Sequence, residues 1–437
     1  MTDSTVQNVN LRVVVCGGVD AGKSTLIGVL THNVLDNGNG YARSLITRYA
    51  HELESRHTSN ISYNYIRYPN REITILDMAG HEEYFKTTIF GISGHNVDYG
   101  IVTVGANLAL NDMTRQHLIL LLWLNIPCII VMSKVDICDE SIYKDNRKRF
   151  RRFLSSLIPH KSVRVISDEK YDTFFGECSN TEYFDATIPI LTVSAKLGTN
   201  LDKIHDMFKL LTPRNEGLNE IHIPTSIKTN ISILSYIECV YSVKNTGIVI
   251  TGYLSKSCTD INIGQQLYIG PFGMDKLFFI PIVVRGLHDN YRQAVRTTKS
   301  GQGFSANIRF PNPDKKLSKK QFRKGLILTS DTSVVSKVSR RFIAKIKIID
   351  YKTAVNVGYS PVIHYRTICQ AARIIEVIDT EEIISTIQTS DGPDVNKECK
   401  TTVLFEFLQR PEFIEPDITL FFRDGTTKGV GKIISVA

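Results

Sequence analysis

The stretch Gly17-Gly18-Val19-Asp20-Ala21-Gly22-Lys23-Ser24 constrains this chain more than any other feature. It follows the apolar run Leu11–Cys16, which has the composition of a buried strand, and leads into Ser24–Leu30, whose apolar residues recur at helical spacing. Glycines so placed let the backbone turn tightly, and its amides can then converge on an anion. The next helix turns its positive dipole end toward the same point. In such a loop Lys23 is a candidate to neutralise the β- and γ-phosphates of a nucleotide, and the Ser24 hydroxyl is a candidate Mg²⁺ ligand. Gly18, Val19, Asp20, Ala21, Gly22 and Thr25 complete the candidate phosphate contacts. A strand-to-helix turn that binds nothing is the plainer alternative, and the strand–loop–helix context argues against it.

The loop requires a strand delivering its carboxyl end to a helix, and residues 11–211 repeat that pattern. Ile73–Leu76, Gly100–Val104, Pro127–Met132 and Ile188–Val193 are further short apolar runs. Met113–Leu124, Asn146–Leu157 and Leu201–Leu211 have helical periodicity. Near-continuous apolar strands alternating with helices predict a mostly parallel, doubly wound α/β sheet covered on both faces. The pattern changes after Thr212–Pro224, a polar stretch with two prolines and a glycine. Beyond it, short strands such as Ile231–Val240, Gly247–Tyr253, Phe278–Val284, Leu326–Thr329, Arg341–Asp350 and Ile433–Val436 are separated by Gly, Asn, Asp and Ser turns. The basic segment within Pro311–Lys324 divides them. The expected organisation is an α/β P-loop nucleotide-binding domain at 1–212, followed by two all-β barrel domains at 225–330 and 335–437.

Composition narrows the setting. No apolar run approaches the ~18 residues of a membrane span, and Met1–Asn10 lacks the basic start and apolar core of a signal peptide. Eight scattered cysteines form no CxxC pair, so neither a disulfide framework nor a zinc site is expected. A cytoplasmic chain without membrane contact follows. The net charge of +8 suits an anionic partner without establishing one.

Asp77-Met78-Ala79-Gly80 closes the Ile73–Leu76 strand as a DxxG element, with Asp77 placed to hold Mg²⁺ through water and the Gly80 amide to sense the γ-phosphate. Ser133-Lys134-Val135-Asp136 and Ser194-Ala195-Lys196 each follow a strand, in the places of base-reading loops. Asp136 can accept both guanine N–H groups, which adenine does not offer, and a buried carboxylate left unpaired is costly. The Lys134 stem can cover one face of the base and the Ala195 amide can meet the guanine oxygen. GTP is therefore expected over ATP. Ser133 stands where Asn is usual in such loops, and its shorter side chain is expected to weaken both a base contact and a brace to the phosphate loop.

The segments GGVDAGKST, DMAGHEEYFKTTIFGISGH, SKVD and SAK resemble those of the elongation factor Tu-like translational GTPases, above all the branch of GTP-binding proteins 1 and 2. The similarity runs along nearly the whole chain. Val243–Gly252 with Ile263–Leu267 resembles the family's second domain, and Gly358–Pro361, Tyr365–Thr367 and Phe422–Gly425 resemble its third. It implies that His81 is catalytic, positioning the attacking water, and that a hydroxyl between the phosphate loop and Asp77 ligates Mg²⁺. Thr58 in Arg56-His57-Thr58-Ser59 is the first choice, with Ser59, Ser62 and Thr47 as competitors. His57 replaces the apolar residue that precedes this threonine in elongation factor Tu. Asp20 matches an aspartate linked to a monovalent cation, and Arg56 is a further candidate near the phosphates.

The resemblance also implies a monomer that hydrolyses GTP to GDP and phosphate, stimulated by a partner, and that binds tRNA and acts on the ribosome. Arg147–Phe153 places a dense basic face on a helix, and Lys315–Lys324 adds a second run; solvated helix faces often look the same. The alternative function is a GTP-gated RNA-binding regulator of mRNA turnover or quality control, with hydrolysis incidental.

Overall fold

Runs rich in Val, Ile and Leu that are buried on both faces form the centre of the first sheet. In the computed structural model its strands lie in the order Ser62–Tyr68, Arg71–Asp77, Val9–Cys16, Tyr99–Gly105, Cys128–Ser133, Thr187–Thr192 and Ser162–Val165. All pairings are parallel except that of Ser62–Tyr68 with Arg71–Asp77. The structure describes residues 9–47, 52, 58–167, 170–214, 233–255, 258–312, 317–350, 356–389, 392–424 and 427–437, and side chains 349–350, 381–399 and 427 fall outside that description.

The chain divides into two compact units, residues 1–92 with 96–215 and residues 93–95 with 216–437. In the first, Leu11, Val13, Ile75, Ile101, Val131 and Leu191 are buried in one core with Leu26, Ile204 and Phe208 of the covering helices. Parallel pairing brings the carboxyl ends of six strands to one edge, where ligands of open α/β sheets bind. Register makes this concrete: Val15 pairs with Asp77, Cys16 with Val102, and Gly105 with Ser133.

Several elements of this unit were not expected, the strand Ser162–Val165 and the helices Tyr41–Ser44 and Phe85–Gly94 among them. Ser62–Tyr68 is an edge strand whose polar–apolar alternation breaks at Tyr65-Ile66, and it turns through Pro69-Asn70 into Arg71–Asp77. The helices Tyr171–Cys178 and Thr181–Ala186 are too short for a periodic signal, yet they bury Tyr171, Phe174, Cys178 and Phe184. The helix expected from Asn146 starts earlier, at Glu140.

The second unit contains two closed six-stranded barrels. The first ring runs through Gln266–Phe272, Ile327–Thr329, Leu234–Val243, Gly247–Tyr253, Gly303–Arg309 and Phe278–His288, which pairs back to Gln266–Phe272. Alternating burial along these strands fills it with Ile250, Leu267, Ile269, Ile282 and Phe304. The second ring comprises Arg341–Asp350, Gly392–Phe407, Ile368–Thr389, Val362–Tyr365, Thr419–Asp424 and Thr427–Val436. Phe342, Phe405, Phe407 and Phe422 pack its interior. Buried polar groups join the rings: the Tyr236 hydroxyl donates to Glu415 at 2.8 Å, and Arg323 donates to Glu412 at 2.7 Å. Much of the expected linker, residues 215–224, lies outside the described residues, as do Arg56, His57, Lys315 and Gly425. Among the described residues no helix is long and apolar enough to cross a membrane.

Candidate functional site

The phosphate loop is built by its neighbours as much as by its glycines. The Gly17 amide donates to His117 Nδ1 at 3.0 Å, and the Gly18 amide donates to Thr114 Oγ1 at 2.9 Å. His117 and Thr114 lie on the helix Asp112–Trp123, whose start is capped by Asn111 accepting from the Thr114 amide. Burial, then the Lys23 ammonium, pushes the His117 imidazole down to about 3, so it stays a neutral acceptor. The Gly18 amide is thus engaged within the protein. This departs from the expectation that Gly18 offers its N–H to a phosphate; its carbonyl instead accepts from Lys23 Nζ at 2.8 Å.

Beyond the loop, three chain segments converge. Ser24 Oγ donates to Asp77 Oδ2 at 2.7 Å and lies 3.2 Å from Thr58 Oγ1. Of the four candidate hydroxyls, Thr58 is the one against Ser24. Ser59 donates to Glu52, Thr47 donates to the Arg43 carbonyl, and Ser62 accepts from Asn64. Glu52, buried, also accepts from the Ser59 amide at 2.8 Å and so fixes the segment beside Thr58. Asp77 is 2% exposed, and its Oδ1 has no hydrogen-bond partner among the described residues. Burial pushes its carboxyl up to about 6, against the Ser24 hydrogen bond and the Lys23 and Arg43 charges.

That orphaned oxygen and two converging hydroxyls make a hard, oxygen-only donor set suited to Mg²⁺. Lys23 is buried, and desolvation lowers its pKa, with the Asp77 charge opposing. A cationic ammonium in such a place calls for an anion. At Gly80 an added Cβ would lie 2.9 Å from the Gly18 carbonyl oxygen as well as 2.4 Å from Lys23 Nζ, so a glycine here lets the backbone pass close to the Gly17–Ser24 loop. His81 follows with its side chain 42% exposed; its Nδ1 accepts weakly from the Glu83 amide at 3.4 Å. His81, Gly80, Thr58, Lys23, Ser24 and Asp20 line one cavity of about 100 Å³.

The loops proposed to read the base line a larger adjoining cavity of about 540 Å³, to which Ser133, Lys134, Asp136, Ala195 and Lys196 contribute. Ser194, fully buried, donates to Asp136 Oδ1 at 2.6 Å and fixes that carboxylate. Ser133 Oγ donates to the Ala21 carbonyl at 2.7 Å. The hydroxyl therefore makes the brace to the phosphate loop that its length was expected to weaken, because the two loops approach closely here.

His117, Thr114, Glu52 and Arg43 escaped the sequence argument. Each acts through distant contacts, and an isolated polar residue on a helix carries no signal of such a role. On the basic helix Glu140–Leu157, Arg149 pairs with Asp145 and Arg147 stacks on Tyr143, so part of that charge is spent within the helix.

A parallel α/β sheet with this loop at its carboxyl edge, followed by two barrels, defines a P-loop nucleotide-binding protein. Residues 8–214 match the family model of the elongation factor Tu GTP binding domain. Over 98% of its length the chain is 30% identical to mouse GTP-binding protein 2, covering 70% of that protein. It is 32% identical to Xenopus laevis GTP-binding protein 1 over 97% of its length, and spans 63% of that relative. In fold it is similar to a bacterial selenocysteine-specific elongation factor, with a TM-score of 0.68 at 19% identity, covering 98% of this chain and 59% of the other. The chain belongs to the elongation factor Tu-like translational GTPases, whose nucleotide is GTP or GDP with Mg²⁺.

Proposed function

We propose that this chain hydrolyses GTP as a conformational switch that binds tRNA and acts on the ribosome. The observation that carries the proposal is the convergence of Ser24, Thr58 and Asp77 beside Lys23, Gly80 and His81. Lys23 would leave the Gly18 carbonyl for the β- and γ-phosphates, while the Val19–Thr25 backbone surrounds them. Ser24, Thr58 and, through water, Asp77 would hold Mg²⁺, which when bound neutralises charge on the phosphate oxygens. The Gly80 amide would meet the γ-phosphate. His81 would accept a hydrogen bond from water and orient it for attack on the γ-phosphorus; the bond to the β–γ bridging oxygen would break, GDP and phosphate would form, and Thr58 and Gly80 would be released. Asp136 would accept the guanine N–H groups, with the Lys134 stem over the ring and the Ala195 amide at the guanine oxygen. Lys196 and Ser194 shape that loop.

Residues 225–330 and 335–437 are proposed as the two domains that carry the RNA contacts and respond to the switch. Support for the translation role comes from the family and from a structural relative that is itself an elongation factor. GTP turnover measured with and without ribosomes and aminoacyl-tRNA tests it. Turnover should rise on adding them, and His81→Ala should abolish that rise while nucleotide still binds. Turnover indifferent to both additions sinks the translation role.

A further inference from the structure

We propose that Arg43 is a phosphate-contacting residue of the nucleotide site, positioned by the segment Asp36–Ser44 and tied through it to the loop that faces the base. The inference rests on the nucleotide site proposed above and adds a guanidinium to it.

Several independent devices place this arginine. The short helix Tyr41–Ser44 packs backbone to backbone on the helix Lys23–His32: at Gly28 an added Cβ would lie 2.1 Å from the Ala42 carbonyl oxygen. Asp36, 8% exposed, accepts from the Ala42 amide at 2.9 Å with one oxygen and from the Gly38 amide at 2.8 Å with the other. The Asp36 amide in turn donates to the Ala195 carbonyl at 3.0 Å, in the loop proposed to meet guanine. The Arg43 carbonyl accepts from the Ile46 and Thr47 amides, which closes the turn behind it.

So held, Arg43 lines the phosphate cavity with Lys23, Ser24, Thr58 and Gly80. It also lines the base cavity and a small one shared with Asp77 and Glu52. A polyphosphate in that cavity would meet both Lys23 and Arg43, which line it together. A guanidinium offers planar paired donors to phosphate oxygens at such a place. The Asp36–Ala195 bond gives the same segment a mechanical link to base recognition, so that placing guanine also sets Arg43.

The test uses the full chain, the variants Arg43→Ala, Arg43→Lys and Asp36→Ala, fluorescent GTP and GDP analogues, and thermal unfolding without nucleotide. Arg43→Ala should weaken both nucleotides about tenfold to hundredfold, the range for losing charge-assisted hydrogen bonds. Arg43→Lys should recover part of that loss, the unfolding midpoint should stay put, and the salt dependence of binding should become shallower. Asp36→Ala should weaken nucleotide binding in the same direction. Wild-type affinity in Arg43→Ala overturns the inference while leaving the nucleotide site standing. A loss matched by a lower midpoint, and not recovered by lysine, overturns it in favour of a packing role. Absence of saturable binding by the unaltered chain overturns the site and this inference together.

Discussion

Asp77 and Glu412 are both buried carboxylates whose pKa burial raises, yet they do opposite things for the protein. Glu412, 1% exposed, accepts from Arg323 at 2.7 Å, from Gln370 at 3.0 Å and from Arg410 at 3.1 Å. Its partners come from both barrels, and each of its oxygens is engaged. Asp77 has the Ser24 hydroxyl on one oxygen and no partner among the described residues on the other. It borders a cavity shared with Thr58 and Arg43. Burial and a shifted pKa therefore do not distinguish a functional carboxylate from a structural one. Incomplete satisfaction beside a cavity does, because an orphaned buried oxygen costs free energy that a ligand can recover.

The comparison breaks most visibly at the barrel junction. Glu412→Leu leaves Arg323 and Arg410 without their carboxylate and should cost about 3 kcal/mol or more of stability, read by chemical denaturation, with GTP affinity unchanged. A nucleotide-binding defect in that variant would erase the distinction. Lys23→Ala should do the converse. GTP affinity falls about a hundredfold with loss of a charge-assisted phosphate contact, while the nucleotide-free protein unfolds no earlier, since a desolvated ammonium has been removed. Fluorescent-analogue titration and a melting curve check both halves.

His117 sharpens the comparison through pH. Its folded pKa is depressed to about 3 from an ordinary 6.5, so the unfolded chain takes up the proton first as pH falls. The stability it contributes is whole above 6.5 and is lost progressively as pH drops toward 3. His117→Asn should flatten that part of the stability-versus-pH curve, and an unchanged slope would place the acid sensitivity elsewhere. The smallest effect is expected from Ser133→Ala. Loss of its hydrogen bond to Ala21 should cost about 1 kcal/mol, or roughly fivefold in nucleotide affinity. A titration showing no loss would mean that the phosphate loop needs no brace from this side.

Residues that act by local pattern were legible from the chain alone. The phosphate loop, the DxxG turn and the two base-facing loops each follow an apolar strand, and parallel pairing must gather their ends at one edge. The barrels were visible as alternating strands with turn residues between them. Ring order and closure were not, because strand pairing depends on contacts far apart in sequence. The edge strand Ser62–Tyr68 and the short helices Tyr171–Cys178 and Thr181–Ala186 carried too little periodicity to be seen.

The sequence by itself determined the strand–loop–helix around Lys23, the order of the candidate nucleotide motifs and the change from an α/β to an all-β pattern along the chain, since each is a matter of short spacing and hydrophobic period. Tertiary structure alone decided which hydroxyl faces Ser24, that Gly18 spends its amide on Thr114, that Ser133 braces Ala21, and that Arg43 lines one cavity with Lys23 and Gly80. Those are choices among chemically similar side chains, and hydrogen-bond distance makes them only once the fold has brought the loops together.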